Sequence, residues 1–241
     1  MTGTSRGAGA AGTGRRGRPP AGSSAAHRAV VLDAVFELLV ERGYQGTTMA
    51  AVAERAGSSK ETLYSWFGSK QGLFTALIRR QAEATNRAVD AALDGGDHGS
   101  DPAATLTAFA TNLLRLLLGE RSVALNRATI AELGGRAPGA GALATTLLAQ
   151  GRHHTGPLVE AYLARLAAAG RLRIDDPAEA FQLLYGLVVR DLQIRVLLGE
   201  PPPEEAALAD RARVAVDRFL ALTAAPERKP SASGARSGSR R

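Results

Sequence analysis

Residues 47–70, TTMAAVAERAGSSKETLYSWFGSK, constrain the fold more than any other stretch of the chain. Met49, Val52 and Ala53 repeat at i, i+3 and i+4, which puts them on one face of a short helix. Gly57 follows where a sharp turn needs a residue that tolerates positive φ. Leu63, Trp66 and Phe67 repeat the same spacing on a second short helix. Ala53 is small where two steeply crossing helices bring their backbones close. This is a helix-turn-helix pattern, whose second helix can lie in a DNA major groove.

The flanks extend the unit. Residues 24–43 predict a helix capped by Ser23 or Ser24, with Val31, Ala34, Val35, Leu38 and Leu39 as its apolar stripe and Gly43 as its stop. Tyr44, Gln45 and Gly46 read as a turn, and Thr47 as the N-cap of the next helix. A long helix then buries the backs of two short ones.

Residues 31–74, VLDAVFELLVERGYQGTTMAAVAERAGSSKETLYSWFGSKQGLF, carry a family resemblance through the ERGY turn at 41–44, Thr47-Thr48, Ala56-Gly57, Ser59-Lys60, Thr62-Leu63-Tyr64, Phe67 and Ser69-Lys70. The stretch resembles the DNA-binding domain of TetR/AcrR-type transcriptional regulators, over residues 24–80. Ser58 departs from the family pattern, where a small apolar residue is usual; its hydroxyl can cap the helix that follows. The resemblance implies an all-α protein with an N-terminal three-helix DNA-binding domain and a C-terminal helical domain for ligand binding and dimerisation. The expected division is a basic arm at 1–23, the DNA-binding domain at 24–68, the regulatory domain at 69–224 and a basic tail at 225–241.

Candidate DNA contacts follow from chemistry at each position. Thr47 and Thr48 stand at a helix start whose N–H groups suit a phosphate, and either can instead be a plain cap. The Tyr64 phenol lies opposite Leu63 and can reach a phosphate, a role the family also implies. Lys70 sits in a helix's first turn, where the macrodipole opposes a cation by roughly 0.3–1 kcal/mol; a bound phosphate reverses that penalty, so Ser69-Lys70 reads as a clamp. The Trp66 indole N–H is a further phosphate donor, since the resemblance gives the core slot to Phe67. Ser59, Lys60, Glu61, Thr62 and Ser65 form the outer face of the second helix. Lys60 can donate to guanine and Glu61 can accept from cytosine. Glu61 has an equal rival role, closing a capping box onto the Ser58 N–H.

Charge alone does not argue for DNA. Residues 1–28 hold five arginines and no acid, and residues 227–241 hold five Lys/Arg against one acid, so the net +7 resides in the termini. Arg16 and Arg18, in the Arg-Gly-Arg-Pro sequence at 16–19, match an AT-hook core that fits a narrow minor groove; the alternative is a solubilising tail. The chain has no cysteine and no apolar run of membrane-spanning length, which predicts a cytoplasmic protein.

Beyond residue 69 the sequence predicts helices at 69–92, from Asp101-Pro102 to Leu118, at 120–133, a broken pair within 137–173, at 177–198 and at 204–223. Gly151 and Gly156-Pro157 are the expected breakers of the pair. The helix at 177–198 is apolar all round, so Phe181, Leu184, Val188 and Leu192, joined by Leu208, Val216 and Leu220, are the expected dimer interface. Arg190, Asp191, Gln193 and Arg195 are a polar set on this apolar helix; they read as an intersubunit ion-pair set, Asp191 and Arg195 being at i and i+4, with polar groups of a cavity as the alternative. The family's regulatory domain implies a small-molecule pocket, for which Phe109, Asn112, Leu113, Leu116, Asn126, Ile130, Tyr162 and Tyr185 are candidates. His27 and His98 fall in segments read as flexible, and adjacent His153 and His154 point apart on a helix, so no metal site or cofactor is expected.

The reading is a repressor that binds an operator in double-stranded DNA as a homodimer and is released by an apolar or amphipathic effector. The rivals are an architectural protein relying on its basic tails, and a helical enzyme, which the absence of a cysteine, histidine cluster or phosphate loop disfavours.

Overall fold

The computed structural model describes residues 21–94, 101–134 and 141–225, all helical or in short connections. The order is α1 (Ala21–Gly46), α2 (Met49–Arg55), α3 (Lys60–Phe67), α4 (Lys70–Asp94), α5 (Pro102–Leu118), α6 (Glu120–Leu133), α7 (Ala142–Gln150), α8 (Arg152–Ala168), α9 (Pro177–Val189), α10 (Leu192–Leu197) and α11 (Glu205–Leu222). His98 and the two arginines of the proposed hook, Arg16 and Arg18, lie outside the described residues. No helix among the described residues is long and apolar enough to cross a membrane.

Local chemistry sets most boundaries. Asp101 and Asp176 accept from the backbone N–H groups of Ala103 (3.0 Å) and Ala178 (2.8 Å), each with proline at the first helical position. Gly43 interrupts α1 with φ 66° and ψ −177°, a conformation that costs a side-chain-bearing residue about 1–3 kcal/mol. Gly57 turns the chain at φ 59°, as the turn requires.

Three boundary expectations change. Thr48, not Thr47, caps α2, accepting from Ala51 N (3.1 Å). Gly156 and Pro157 lie inside α8, and the break falls at Gly151 alone. The apolar helix expected over 177–198 is two helices, because Arg190 takes a positive φ of 49°. The freed carbonyls of Val188 and Val189 accept from the Arg211 guanidinium at 2.8 and 3.2 Å, so the break is satisfied rather than frayed.

Two apolar cores result. The first joins α1, α2 and α3 to the start of α4 through Leu38, Val52, Leu63, Leu73 and Phe74, and it also takes in Leu125, Ala128 and Leu143 from α6 and α7. The second lies among α5, α8, α9 and α11, around Phe109, Leu163, Leu184 and Phe219. Burial on the first core therefore continues past residue 68 and across to α6. Glu132 reinforces that joint: 6% exposed, it accepts from Gln71 Nε2 of α4 at 2.8 Å and from Gly141 N before α7 at 3.0 Å.

Phe181, Leu184, Val188, Leu192, Leu208 and Val216 belong to the second core within one chain, and Leu220 packs against it. The first six are buried within the chain, which corrects their assignment to a dimer surface; Leu220 is only half-buried. The reason is that α11 and α8 together cover the side of α9 that periodicity left without a partner. Asp191 and Arg195 pair at 3.8 Å within the chain, and Arg195 also donates to Glu200 at 2.8 Å.

Candidate nucleic-acid interface and regulatory cavity

The second helix of the motif, α3, is anchored by one fully buried residue, Leu63. Trp66 and Phe67 are half-buried beside it, their rings 6.2 Å apart and edge to face. On the opposite side Ser59, Lys60, Glu61, Tyr64 and Ser65 are exposed and Thr62 half-exposed. The side that meets solvent is thus a contiguous strip of hydroxyls, an amine, a carboxylate and a phenol.

The start of α3 corrects the capping reading. Ser59 is the N-cap, and its Oγ accepts from Thr62 N at 3.1 Å. Ser58 instead pairs with His27, whose Nε2 lies 2.5 Å from the Ser58 hydroxyl. Glu61 is therefore inside the first turn, and its carboxyl is held below the usual range by its own backbone N–H, then by the Ser59 hydroxyl. That frees it from a box onto Ser58.

His27 also corrects its expected place in a flexible segment. It lies on α1, with its ring 5.5 Å from Trp66 and edge to face. Arg28 stacks on the same indole at 5.2 Å. These two residues were missed as neighbours of the recognition helix because they sit 38–39 positions from Trp66 and read as part of a basic terminus; no periodicity marks them.

Thr47 is withdrawn as a DNA contact. It is 1% exposed, and its hydroxyl donates to the Gly43 carbonyl at 2.8 Å. Thr48 is exposed; its oxygen caps α2, and its O–H is still a donor. Lys70 is half-buried, with Nζ 2.5 Å from the Tyr44 carbonyl, 3.5 Å from that of Gln45 and 4.1 Å from the centre of the Tyr44 ring. Burial depresses its pKa, and burial, then the Glu132 carboxylate, raise that of Tyr44. The ammonium thus adds a donor to the Tyr44 and Gln45 carbonyls that follow the Gly43 kink, a role the sequence did not reveal. Ser69 caps α4, accepting from Gly72 N at 3.1 Å.

Of the pocket candidates, Leu113, Leu116, Asn126 and Tyr185 line a cavity of about 320 Å³. It opens between α4, α5, α6, α7, α9 and α10, with the first turn of α8 at one end. Phe109 and Tyr162 are corrected to closed core, at 1% and 2% exposed, and Ile130 to the surface. Asn112 faces a separate open groove, where it accepts from Arg115 Nη1 at 2.9 Å. The sequence missed the cavity's polar groups Gln81, Asn86, Ser122, Gln150, Arg152 and Thr155. Gln193 is the one member of the polar set near residue 191 that turns inward, near the Tyr185 hydroxyl (3.5 Å). No cluster of three metal-ligating side chains occurs among the described residues.

Comparison with known proteins agrees with this architecture. Residues 31–77 match the model of bacterial regulatory proteins of the tetR family, and residues 104–224 match that of the AefR-like transcriptional repressor C-terminal domain. A TetR transcriptional regulator from Agrobacterium tumefaciens is 36% identical, with a TM-score of 0.69 over 83% of this chain and 94% of that one. The Flavonoid-responsive Regulator FrrA is 29% identical, with a TM-score of 0.64 over 83% and 98%. The HTH-type transcriptional regulator AlkX of Mycobacterium tuberculosis is 42% identical over 72 residues, 30% of this chain and 34% of that protein. The chain thus spans well under half the length of that curated relative. Its three-helix unit, its helical second core and both family matches make this chain a member of the TetR family of DNA-binding transcriptional regulators.

Proposed function

We propose that the chain is a homodimeric repressor that inserts α3 into the major groove of an operator and leaves the DNA when a small molecule fills the cavity. The exposed strip on α3 carries the reading: Leu63 alone is fully buried, Ser59, Lys60, Glu61, Tyr64 and Ser65 are exposed, and Thr62 is half-exposed beside them. In this reading Lys60, Glu61, Ser59, Thr62 and Ser65 contact bases, while Thr48, Tyr64 and Trp66 contact phosphates. Lys70 has three donors, two of them directed at Tyr44 and Gln45, and the third meets a phosphate.

Release rests on shared side chains. Ile78, Leu125 and Leu147 line the cavity and also belong to, or pack against, the core that supports α1 to α4. An effector that needs these side chains elsewhere favours a second arrangement of the recognition helices, and it acts only through its differential affinity for the two. The responsiveness of FrrA to flavonoids supports a small-molecule effector.

The self-association face in this reading is the exposed side of α9 and α11. Leu183 and Gly186 are open on α9, Val214 and Leu222 on α11, and Leu198 after α10 is 81% exposed. Two such faces related by a two-fold axis make a closed four-helix contact.

The test is selection of bound duplexes from a random pool by purified protein at moderate salt. The expected product is a palindrome whose half-sites are one helical turn, or a multiple, apart. Enrichment of no sequence over competitor removes the reading.

A further inference from the structure

The cavity is chemically lopsided. Leu113, Leu117, Leu125 and Leu147 supply apolar wall, while the first turn of α8 supplies Arg152 and Thr155. Among the described residues that line it, Arg152 carries the sole formal charge, and no Asp or Glu is present. The Arg152 guanidinium lies over the Tyr185 ring at 4.8 Å and near Phe181 at 5.9 Å. Arg152 also hydrogen-bonds the Tyr185 hydroxyl, which ties the group to the cavity wall; its remaining N–H donors are those that can receive a carboxylate.

Thr155 is a second, independent sign. It is 8% exposed and lines the cavity, yet its hydroxyl joins no side-chain hydrogen bond among the described residues. Its oxygen is still reached from the cavity, so the O–H is a donor open to a bound group. The helix that bears both residues begins at Gly151, which offers no side-chain cap, and its first turn has no acid. Its end is therefore electropositive and open on the cavity side.

We infer that the effector is an amphiphilic monocarboxylate, its carboxylate against Arg152 and Thr155 at the first turn of α8 and its apolar body against Leu113, Leu117 and Leu125; the inference rests on the reading of this cavity as the effector site. A dianion leaves one charge without a partner, and a neutral apolar molecule leaves the Thr155 hydroxyl unpaired. The volume of about 320 Å³ stands at the low end of the roughly 300–1,000 Å³ typical of small-molecule sites, which favours a two-ring or short-chain acid over a long acyl chain.

Calorimetric titration of the full-length protein with 2-naphthoate, 4-phenylbutyrate and octanoate, each paired with its primary amide, tests this. The expected result is an acid preference of about tenfold or more in at least one pair. Arg152→Gln is expected to abolish that preference by weakening the acid far more than the amide, and Thr155→Val to weaken the acid by about threefold to tenfold. Failure of all three pairs to prefer the acid, or a preference that survives Arg152→Gln, overturns the inference. Amides that bind and release DNA where the acids do not would overturn the carboxylate and leave the cavity as effector site. Acid binding unchanged by the cavity-filling Leu117→Trp would overturn both.

Discussion

The carbonyl oxygen of Phe67, last residue of α3, lies 1.9 Å from where a Cβ on Gly72 would stand. The recognition helix therefore ends against the bare backbone of α4, and the angle between them depends on the absence of one methyl group. The same carbonyl accepts from Ser69 N at 2.8 Å, so it cannot swing aside without losing that bond.

Gly72→Ala should accordingly push α3 away from α4. The expected loss of stability is about 1–3 kcal/mol, as for overpacked sites, with a disproportionate loss of operator affinity. Urea unfolding and gel-shift titration measure the two. Operator affinity equal to wild type would show that α3 tolerates a new angle.

Leu125 belongs to the core of the DNA-binding unit and also lines the cavity. Leu125→Ala is expected to cost about 2–5 kcal/mol, as buried leucine truncations do. Because the new space adjoins the cavity, the variant should also need more effector to leave DNA. Denaturant midpoints and fluorescence anisotropy against effector concentration check both effects.

Lys60→Ala and Lys70→Met should separate base reading from backbone contact. Lys60 is exposed on α3, and its loss is expected to relax preference at one base pair by about 1–3 kcal/mol. Lys70→Met should weaken all sequences alike and reduce the salt slope by about one. Binding titrations on operator and scrambled DNA over a range of salt decide between these outcomes. A Lys70→Met variant with unchanged slope would confine that lysine to holding the Tyr44 and Gln45 carbonyls.

Burial raises the phenol pKa of Tyr185, with Arg152 acting in the opposite direction, and burial followed by Glu132 raises that of Tyr44. In the folded chain both keep their protons above the usual phenol value of about 10. The folded state then binds more protons than the unfolded one, so the stability they contribute is full below that value and is lost as pH rises through their folded values. Ultraviolet titration of phenolate absorbance should show a late-ionising component that shrinks in Tyr185→Phe. An unchanged late component would place Tyr185 in ordinary solvent.

Leu183→Glu and Val214→Glu should convert a dimer into monomers in sedimentation at micromolar concentration, because both side chains are exposed in the single chain. Wild type that sediments as a monomer would remove the self-association face.

What the sequence determined by itself was local. The i, i+3, i+4 spacing of Leu63, Trp66 and Phe67, the Asp-Pro starts at 101 and 176, and the positive-φ glycines at 43 and 57 each act within one helical turn, so a short window of residues encodes them. The family motif added the identity of the exposed strip on α3. Tertiary structure decided the rest. Thr47 and Thr48 are chemically alike as caps, and the Gly43 carbonyl claimed the first. Nothing near residue 190 breaks a helix in sequence; the break exists because Arg211, 21 positions away, satisfies the carbonyls it frees. The apolar faces of α9 were equivalent until α8 and α11 covered one and left Leu183 and Gly186 open. The cavity, finally, is space left among seven helices, and its charged end at Arg152 arises from packing between residues far apart in the chain, which no periodicity records.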